Sequence, residues 1–311
     1  MRYGNASARG NGKGYDPTDY TRQLLDALED HGGYSPKTMR FYREQSDRIL
    51  SILNDIDPDA NPANLGESTL KMLIQHLRSK YAVSTQKDYM IALKRMCEIN
   101  DNFVFNRYRV TYPTDTRPNV DWLSYDDAKR LLELWKMPMD EMLVTLQLLH
   151  GLRRVEVIRL CISDIHIEEG YLDVRGKGRA GGKLRRVPMH PDFRRSFDRW
   201  MKERDEMLKA TEGPQPDNLL VYLRGKRLHR YEELKGRAID DRLQTLSGRL
   251  GVRFSSHTLR RTFGRELYRS GVNIVVIATI FGHTSTSQTI KYLGLDLDDM
   301  ADAMDRFKLR M

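Results

Sequence analysis

The feature that most constrains this chain is the polar stretch NRYRVTYPTDTRPNVDW at residues 106–122. It contains two prolines and shows no helical period, which is typical of a segment that connects two domains. A chain of 311 residues is long enough for two domains of ordinary size. We therefore predict a flexible tail at 1–15, a first domain at 16–105, a linker at 106–119 and a second domain at 120–311.

The first domain carries the signals of short amphipathic helices. Asp16 and Ser35 each precede a proline, which is the favoured order of an N-cap residue and a first helical residue. Two further helices are predicted near 67–80 and 84–99. The apolar residues of the second helical segment recur at helical spacing and predict one buried stripe: Met39, Tyr42, Ile49, Leu50 and Leu53. The first domain is predicted to be small and entirely helical.

The second domain is predicted to be mainly α with a small β-hairpin, which places it in the α+β class. Ser124 opens a helical pattern with Asp127 three residues later, close to a capping box, and DEMLVTLQLLH predicts a helix that ends at Gly151. Between Gly170 and His190, two alternating segments flank a glycine-rich turn and predict the hairpin. The other predicted helices lie near 191–208, 236–250, 257–270 and 273–281.

Basic residues exceed acidic residues, and the excess lies in the second domain. The chain has 52 Lys and Arg against 43 Asp and Glu, a formal net charge of +9. Residues 1–115 contain 16 basic and 15 acidic side chains, whereas the remainder contains 36 and 28. The imbalance favours a polyanion such as nucleic acid as the partner of the second domain, although solvated helix faces would explain the count equally well.

Three features of the sequence favour a cytoplasmic protein. No apolar run approaches the roughly 20 residues that a membrane-spanning helix needs. The N-terminal segment MRYGNASARGNGKGYD lacks the apolar region of a signal peptide. Cys97 and Cys161 lie in apolar contexts without the spacing of metal ligands, and we predict buried thiols rather than a disulfide.

The polar residues that punctuate the second domain are mostly cationic. His257 and Arg260, three positions apart, share one face of a predicted helix. Glu156 follows Arg153 by three residues. The candidate site consists of two arginines, a lysine, two histidines and a tyrosine: Arg153, Lys177, His257, Arg260, His283 and Tyr292. Without an acidic cluster, these groups suit the binding and polarisation of an anion without a metal.

The same residues lie in short motifs that resemble a known family. GLRRVE, GKG, HTLR and FGH, followed by a tyrosine nine residues after the last histidine, are similar to the catalytic signature of the tyrosine recombinases, or phage integrase family. That family includes phage and archaeal integrases and Xer-like enzymes. Each motif is weak alone, but all of them occur in family order from Arg153 to Tyr292. The helical first domain is similar to the family's core-binding domain in size and position.

The resemblance implies a site-specific recombinase that cleaves and rejoins duplex DNA through a 3′-phosphotyrosine intermediate and a Holliday junction, with no cofactor and no metal. It implies that Tyr292 is the nucleophile and that Arg153 and Arg260 bind the phosphate, a role that suits a planar guanidinium. Lys177 is the implied general acid. The turn GKGRAGGKLRR is longer than the family's usual loop, however, and Lys183 stays open as the alternative acid.

Supporting roles are implied for the remaining polar residues. His257 would assist the tyrosine proton, and a helix N-terminus would favour its neutral form. His283 would hydrogen-bond the phosphate, and Glu156 would orient Arg153. The sequence departs from the family at His150, where a threonine is common, and we expect that change to affect only the packing of the helix end.

The partners implied by the resemblance are double-stranded DNA at specific sites and further copies of the chain. Two copies would bind each site and four would form the synapse, and accessory DNA-bending proteins are compatible with this assembly. An apolar stripe near the C-terminus would dock either on its own domain or on a neighbouring copy: Leu297, Met300, Met304 and Phe307. Two alternative functions are a type IB topoisomerase and a catalytically silent DNA-binding regulator.

Overall fold

The computed structural model describes residues 17–112, 121–176, 182–209, 215–224, 230–295 and residue 299. The chain forms two compact units, Met1–Asp115 and Thr116–Met311. The boundary between them falls inside the proline-containing stretch 106–122, and each unit has a buried apolar core of its own. Within the described ranges, every helix is too short or too polar to span a bilayer.

All the secondary-structure elements among the described residues of the first unit are helices, as predicted. Its helices are α1 Pro17–Asp30, α2 Pro36–Ile56, α3 Glu67–Lys80, α4 Val83–Ile99 and α5 Val104–Arg107. Ser35 caps α2, because its hydroxyl accepts a hydrogen bond from the backbone N–H of Thr38 at 3.1 Å. The predicted stripe of α2 faces the core, with Ile49, Leu50 and Leu53 fully buried. The proposed cap Asp16 and the tail at 1–15 lie outside the described residues.

The second unit is dominated by helices that surround a small sheet. Its helices are α6 Tyr125–Leu134, α7 Pro138–Val144, α8 Arg154–Arg159, α9 Phe193–Lys209, α10 Gly236–Leu250, α11 Ser256–Arg269, α12 Ile274–Phe281 and α13 Thr286–Leu293. The predicted cap is present, since the N–H of Asp127 donates to the hydroxyl of Ser124 at 3.1 Å. The helix predicted to run to Gly151 instead changes after Val144 into a π-helical turn, Thr145–Leu149. The α8 and α13 helices were not predicted.

The strands form two antiparallel sheets. They are β1 Ile165–His166, β2 Tyr171–Arg175, β3 Leu184–Pro188, β4 Val221–Arg224 and β5 Arg230–Glu233. The sheet order is β1-β2-β3, with Val174 opposite Arg185, which confirms the predicted hairpin. The β1 strand and the β4–β5 pair were not predicted, because strands of two to four residues are too short to show a clear alternation.

A small apolar cluster holds the last helices of the second unit together. Ile277 and Phe281 of α12 pack against Leu293 of α13, and all three are buried. Tyr292 and Phe263 lie at the border of this cluster. The ends of α11, α12 and α13 are therefore fixed close to one another, and these ends carry most of the candidate site.

The two cysteines differ in exposure. Cys97 is fully buried in the first unit, and burial raises the pKa of its thiol to about 12. Cys161 is only half-buried and lies before a short 3-10 turn, so the prediction of a buried thiol was wrong for this residue. The prediction failed because Cys161 lies beyond the end of α8, where the apolar pattern continues but the helix does not. Neither cysteine forms a disulfide.

Candidate active site

Two guanidinium groups converge on a single backbone carbonyl. Arg153 is the N-cap residue of α8, and its Nη1 donates to the carbonyl oxygen of Phe281 at 3.0 Å. Arg260, from α11, donates from Nη2 to the same oxygen at 2.7 Å and from Nη1 to the carbonyl of Gly151. The Arg260 side chain is 1% exposed, whereas that of Arg153 is 24% exposed. The structure thus brings together two arginines that are far apart in the sequence.

The buried carboxylate of Glu156 joins these arginines. Its Oε1 accepts from Nη1 of Arg153 at 2.8 Å, and its Oε2 accepts from the Arg153 backbone N–H at 2.8 Å. Nη1 of Arg260 lies 3.5 Å from Oε2. Burial alone would raise the pKa of Glu156, but hydrogen bonds from Arg185 and the nearby charge of Arg260 lower it overall. Glu156 is therefore ionised at neutral pH and contacts Arg153, the residue that it was predicted to orient.

Burial, together with the nearby arginines, keeps the histidines of the site neutral. Burial, followed by the charges of Arg260 and Arg153, lowers the pKa of His283 to about 4. Its Nδ1 hydrogen-bonds the hydroxyl of Thr289 at 2.8 Å. His257 is the second residue of α11, and burial together with the charge of Arg261 lowers its pKa as well. Both imidazoles are therefore neutral at neutral pH, and each has one ring nitrogen with a free electron pair.

The tyrosine hydroxyl lies beside one of these neutral imidazoles. The Oη of Tyr292 is 3.4 Å from Nδ1 of His257 and 3.4 Å from the carbonyl oxygen of the same residue. The Tyr292 ring is half-buried, and its centroid lies 5.5 Å from that of His283 and 5.9 Å from Cζ of Arg260. Burial raises the pKa of Tyr292 despite the neighbouring arginines, so the hydroxyl is protonated at neutral pH. A base is needed to activate it.

The two lysines predicted as candidates for the general acid belong to the turn of the β2–β3 hairpin. Lys177 lies outside the described residues. Lys183 is exposed at the mouth of the β2–β3 hairpin, where its carbonyl accepts from the N–H of Gly176 at 3.0 Å. Arg154 and Arg261 neighbour the two predicted arginines in the sequence, and Arg154 pairs with Asp240. Arg261, by contrast, lies 5.2 Å from the centroid of the Tyr292 ring.

One charged residue of the site was missed by sequence reasoning. Arg185 of β3 donates from Nη1 and Nη2 to the two carboxylate oxygens of Glu156, both at 2.9 Å. Its side chain is only 10% exposed. The alternation of β3 contains the signal, since Arg185 is two residues before the buried Val187 and therefore shares its face. An arginine on the inner face of a strand needs a buried partner.

His150 has a packing role at the end of the π-helical turn, as the sequence predicted. It is 1% exposed, and its ring stacks edge-on against Phe193 with centroids 5.1 Å apart. Its Nδ1 contacts the carbonyl of Thr145 at 2.9 Å, and its Nε2 accepts from the N–H of His190 at 3.0 Å. This pair of bonds requires the neutral ring with its proton on Nδ1. His150 thereby links the π-helical turn, at Thr145, to the segment that follows β3, at His190.

Taken together, the geometry can bind an anion beside a tyrosine that a neutral base can deprotonate. The guanidinium group of Arg260 remains charged at neutral pH, even though burial and the charge of Arg153 lower its pKa to about 9. Charged donors fixed in a partly buried site stabilise negative charge more strongly than donors in water. The arrangement suits a nucleophilic attack by Tyr292 on a phosphoryl group.

Comparisons with known proteins agree with this chemistry. The model of the phage integrase family matches residues 121–297. Among curated proteins, the chain is similar to the tyrosine recombinase XerD of Oceanobacillus iheyensis, with 25% identity over 277 residues that cover 84% of this chain and 88% of the relative. It is also similar to the tyrosine recombinase XerC of Thermodesulfovibrio yellowstonii, with 28% identity covering 92% and 95% of the two chains.

Solved structures show the same fold over nearly the whole chain. A XerH site-specific recombinase bound to a palindromic difH substrate, in a post-cleavage complex, aligns with a TM-score of 0.69 and 17% identity, covering 94% of this chain and 84% of the other. The Tn1549 transposon integrase in complex with transposon right end DNA aligns with a TM-score of 0.68 and 18% identity, covering 93% and 99%. The predicted fold class, mainly α with a small sheet, is confirmed.

Proposed function

The chain belongs to the phage integrase family and breaks and rejoins double-stranded DNA as a site-specific recombinase, and we propose that Tyr292 is its nucleophile. The observation that carries this assignment is the position of Tyr292, with its hydroxyl 3.4 Å from Nδ1 of His257 and its ring centroid 5.9 Å from Cζ of Arg260. A protonated tyrosine next to a neutral histidine is a nucleophile next to its base.

In the proposed reaction, Oη of Tyr292 attacks the scissile phosphorus while its proton passes to His257. The bond from phosphorus to the 5′-oxygen breaks, and a lysine of the hairpin, Lys177 or Lys183, protonates the leaving oxygen. The products are a 3′-phosphotyrosine and a free 5′-hydroxyl. Because the energy of the phosphodiester is kept in the covalent bond, attack by another 5′-hydroxyl rejoins DNA without an external energy source.

The arginines would act on the transition state. As the tyrosine attacks, charge grows on the non-bridging oxygens of the phosphorus, and the forked guanidinium groups of Arg153 and Arg260 match these oxygens in shape and charge. His283 uses Nδ1 for Thr289, which leaves Nε2 to contact the same phosphate. Glu156 would orient the Arg153 fork.

We also propose roles for the parts of the chain, a state of assembly and a location in the cell. Residues 16–105 would be the core-binding part, residues 106–119 the linker and residues 120–311 the catalytic part. A dimer on each site and a tetramer in the synapse would carry out strand exchange through a Holliday junction. A cytoplasmic location is supported by the two cysteines without a disulfide and by a DNA substrate.

The nucleophile can be tested on a nicked suicide substrate that traps the covalent intermediate. Tyr292→Phe should remove the SDS-resistant protein–DNA adduct completely and leave half-site affinity within about fivefold, because a single hydroxyl contributes only about 1 kcal/mol to binding. Tyr268→Phe is the matched control, since Tyr268 borders the same apolar cluster. It should retain the adduct.

The same assay separates the alternative functions. An adduct that persists in Tyr292→Phe would show that another tyrosine attacks. No adduct in the wild-type protein would favour the silent regulator. A protein that forms the adduct and relaxes supercoiled DNA, but does not transfer a strand between two duplexes, would favour a topoisomerase. The recombinase predicts both adduct formation and strand transfer.

A further inference from the structure

Buried Arg185, the partner of Glu156, has no role in the reaction described so far. The two side chains meet through two parallel hydrogen bonds of 2.9 Å, and they are 10% and 0% exposed. We propose that Arg185 is a positioning residue for recombination: it neutralises Glu156 and thereby leaves the charge of Arg153 and Arg260 available to the scissile phosphate. This inference rests on the proposed function of those two arginines.

The first argument is the distribution of charge. Three guanidinium groups surround one carboxylate, and Arg185 is the one that contacts both of its oxygens through a terminal fork. Arg153 contacts one oxygen with its side chain, and Arg260 approaches only to 3.5 Å. If Arg185 were removed, the buried carboxylate would have only Arg153 and Arg260 as counter-ions. Because an unpaired buried charge is costly, both would be drawn towards Glu156 and away from a ligand.

The second argument is the backbone that Arg185 supports. Its Nε donates to the carbonyl oxygen of Ile280 at 2.7 Å. The next carbonyl, that of Phe281, is the one that receives both Arg153 and Arg260. One side chain therefore fixes the peptide beside the point where the two proposed phosphate ligands converge. A shift of about 1 Å in such a group can reduce a rate roughly 100-fold.

The third argument is the glycine of the FGH motif. Gly282 has a φ of +62°, and a Cβ at this position would lie 3.0 Å from Cδ and 3.4 Å from Nε of Arg185. The stem of Arg185 thus lies directly against the turn from which His283 departs. The absence of a side chain at Gly282 serves two purposes, since it permits the left-handed backbone and admits Arg185.

Arg186 offers a matched control on the same strand. It is adjacent to Arg185 but its side chain is 70% exposed, lies 3.6 Å from Asp173 and stacks over the ring of Tyr171. The two variants Arg185→Met and Arg186→Met remove the same group from opposite faces of β3. The readout is the single-turnover rate of adduct formation at saturating protein, with melting curves and half-site affinity measured alongside.

We expect Arg185→Met to lower the cleavage rate by roughly 10- to 100-fold, with half-site affinity changed by less than about threefold. Arg186→Met should cleave at nearly the wild-type rate. The double variant Glu156→Gln/Arg185→Met should cleave faster than Arg185→Met alone, because the neutral amide no longer competes with the phosphate for Arg153 and Arg260. A double variant that is no faster than the single one would overturn the proposal.

A second substrate separates positioning of charge from a general loss of structure. A methylphosphonate at the scissile position lacks one non-bridging negative charge and so depends less on the guanidinium groups. The defect of Arg185→Met should shrink on this substrate by about tenfold, as we expect when the lost term is electrostatic. An equal defect on both substrates would mean that Arg185 has only a structural role and would overturn the proposal.

Arg185→Lys covers the case in which the methionine variant does not fold. It retains the stem and one charge but loses the fork, so we expect a smaller defect that again shrinks on the methylphosphonate. The wild-type protein shows whether a failed test contradicts the proposed function or only the role of Arg185. A wild type that forms no adduct contradicts the proposed function, whereas a wild type that cleaves no faster than Arg185→Met contradicts only the role of Arg185.

Discussion

Single residues of the site owe their properties to burial as much as to charge. His150, His257 and His283 all have lowered pKa values, and burial is the largest cause in each case. His150 is the simplest of them, because it is fully enclosed and its ring nitrogens have backbone partners. The pH dependence of stability that it causes can therefore be measured separately from the proposed reaction, in which it has no role.

We predict an acid-sensitive fold at His150. Burial lowers its pKa to about 4, whereas an unfolded histidine titrates near 6.5. Below pH 6.5 the His150 ring binds a proton in the unfolded chain, whereas in the folded chain it binds one only near pH 4. The stabilisation is thus complete above pH 6.5 and is lost as the pH falls towards 4, by up to about 3 kcal/mol.

Urea unfolding at pH 7.5, 6 and 5 measures this loss. The free energy of unfolding of His150→Gln should be lower than that of the wild type at pH 7.5 but should fall less steeply with acid. Equal pH slopes for the two proteins would contradict a neutral buried His150.

Among the elements, the turn between the π-helical segment and α8 is held by close packing around Gly151. Its φ is +63°, and a Cβ there would lie 2.4 Å from Cδ1 of Phe263 and 2.8 Å from Cε1 of Phe281. The carbonyl of Gly151 also receives Arg260. The turn therefore connects the apolar cluster to the proposed phosphate ligands.

We predict that Gly151→Ala lowers the free energy of unfolding by about 2–4 kcal/mol, since it adds an overpacked methyl group to a left-handed backbone. Gly248→Ala is the control. Gly248 lies within α10, and a Cβ there would meet no atom within 4 Å. That substitution should be neutral or stabilise by up to about 1 kcal/mol. Denaturant melts of the two variants give the comparison, and similar effects would contradict the packing argument.

The helix that carries Tyr292 is anchored by a buried arginine. Nη1 of Arg265 donates to the carbonyl oxygens of Leu293 at 3.0 Å and Gly294 at 3.3 Å, and Nη2 donates to Asp299 at 2.7 Å. Both side chains of the Arg265–Asp299 pair are 5% exposed. Arg265 also stacks over Trp122, with Cζ 3.8 Å from the ring centroid. The chain beyond Tyr292 thus contacts its own domain at Asp299. The apolar stripe at Leu297, Met300, Met304 and Phe307 lies outside the described residues.

We predict that Asp299→Ala lowers the stability of the isolated protein by about 3–5 kcal/mol, because it leaves Arg265 buried without its counter-ion. Glu266→Ala removes a carboxylate from an exposed pair with Arg269 and should cost less than about 1 kcal/mol. Melting curves together with sedimentation on half-site and full-site DNA show where the segment acts. A deletion from Met300 onward keeps Asp299 but removes Met300, Met304 and Phe307. If it blocks synapsis without lowering the melting temperature, this part of the apolar stripe docks on a neighbouring copy.

At the scale of the whole molecule, charge is divided unequally between the two units. Basic and acidic side chains are nearly equal in number in residues 1–115. The remainder has 36 basic and 28 acidic side chains, an excess of eight positive charges. Lysine and arginine contacts to phosphates release counter-ions, so their number sets the dependence of affinity on salt. We therefore expect the second unit to supply most of the electrostatic binding.

The prediction concerns both affinity and selectivity. For about 6–10 phosphate contacts, affinity for duplex DNA should fall roughly 10³- to 10⁵-fold between about 50 and 200 mM salt. A truncated protein that begins at Asp121 should keep most of this salt slope but lose discrimination between sites. Fluorescence anisotropy with specific and scrambled duplexes measures both quantities. Salt-independent binding by the full chain would contradict the electrostatic argument.

The sequence by itself determined the features that depend on neighbours within a few residues. Ser35 and Ser124 cap the predicted helices, because a cap is a bond between a side chain and a backbone N–H three positions away. The β2–β3 hairpin follows in the same way from local alternation and a glycine-rich turn. Motif order identified the candidate residues of the site, although it did not indicate how they meet. The short strands β4 and β5 left too weak a pattern to be seen.

Only the tertiary structure decided the contacts that organise the site. Arg153 and Arg260 meet at the carbonyl of Phe281, 128 and 21 residues away, and Arg185 reaches Glu156 across 29 residues. No local pattern encodes such contacts, because a backbone carbonyl has no sequence signature and a buried ion pair depends on which surfaces pack together. Arg185 finds its partner Glu156 because β3 lies against α8 and the end of α12. This packing therefore also determines how much of the charge of Arg153 and Arg260 is available to a phosphate.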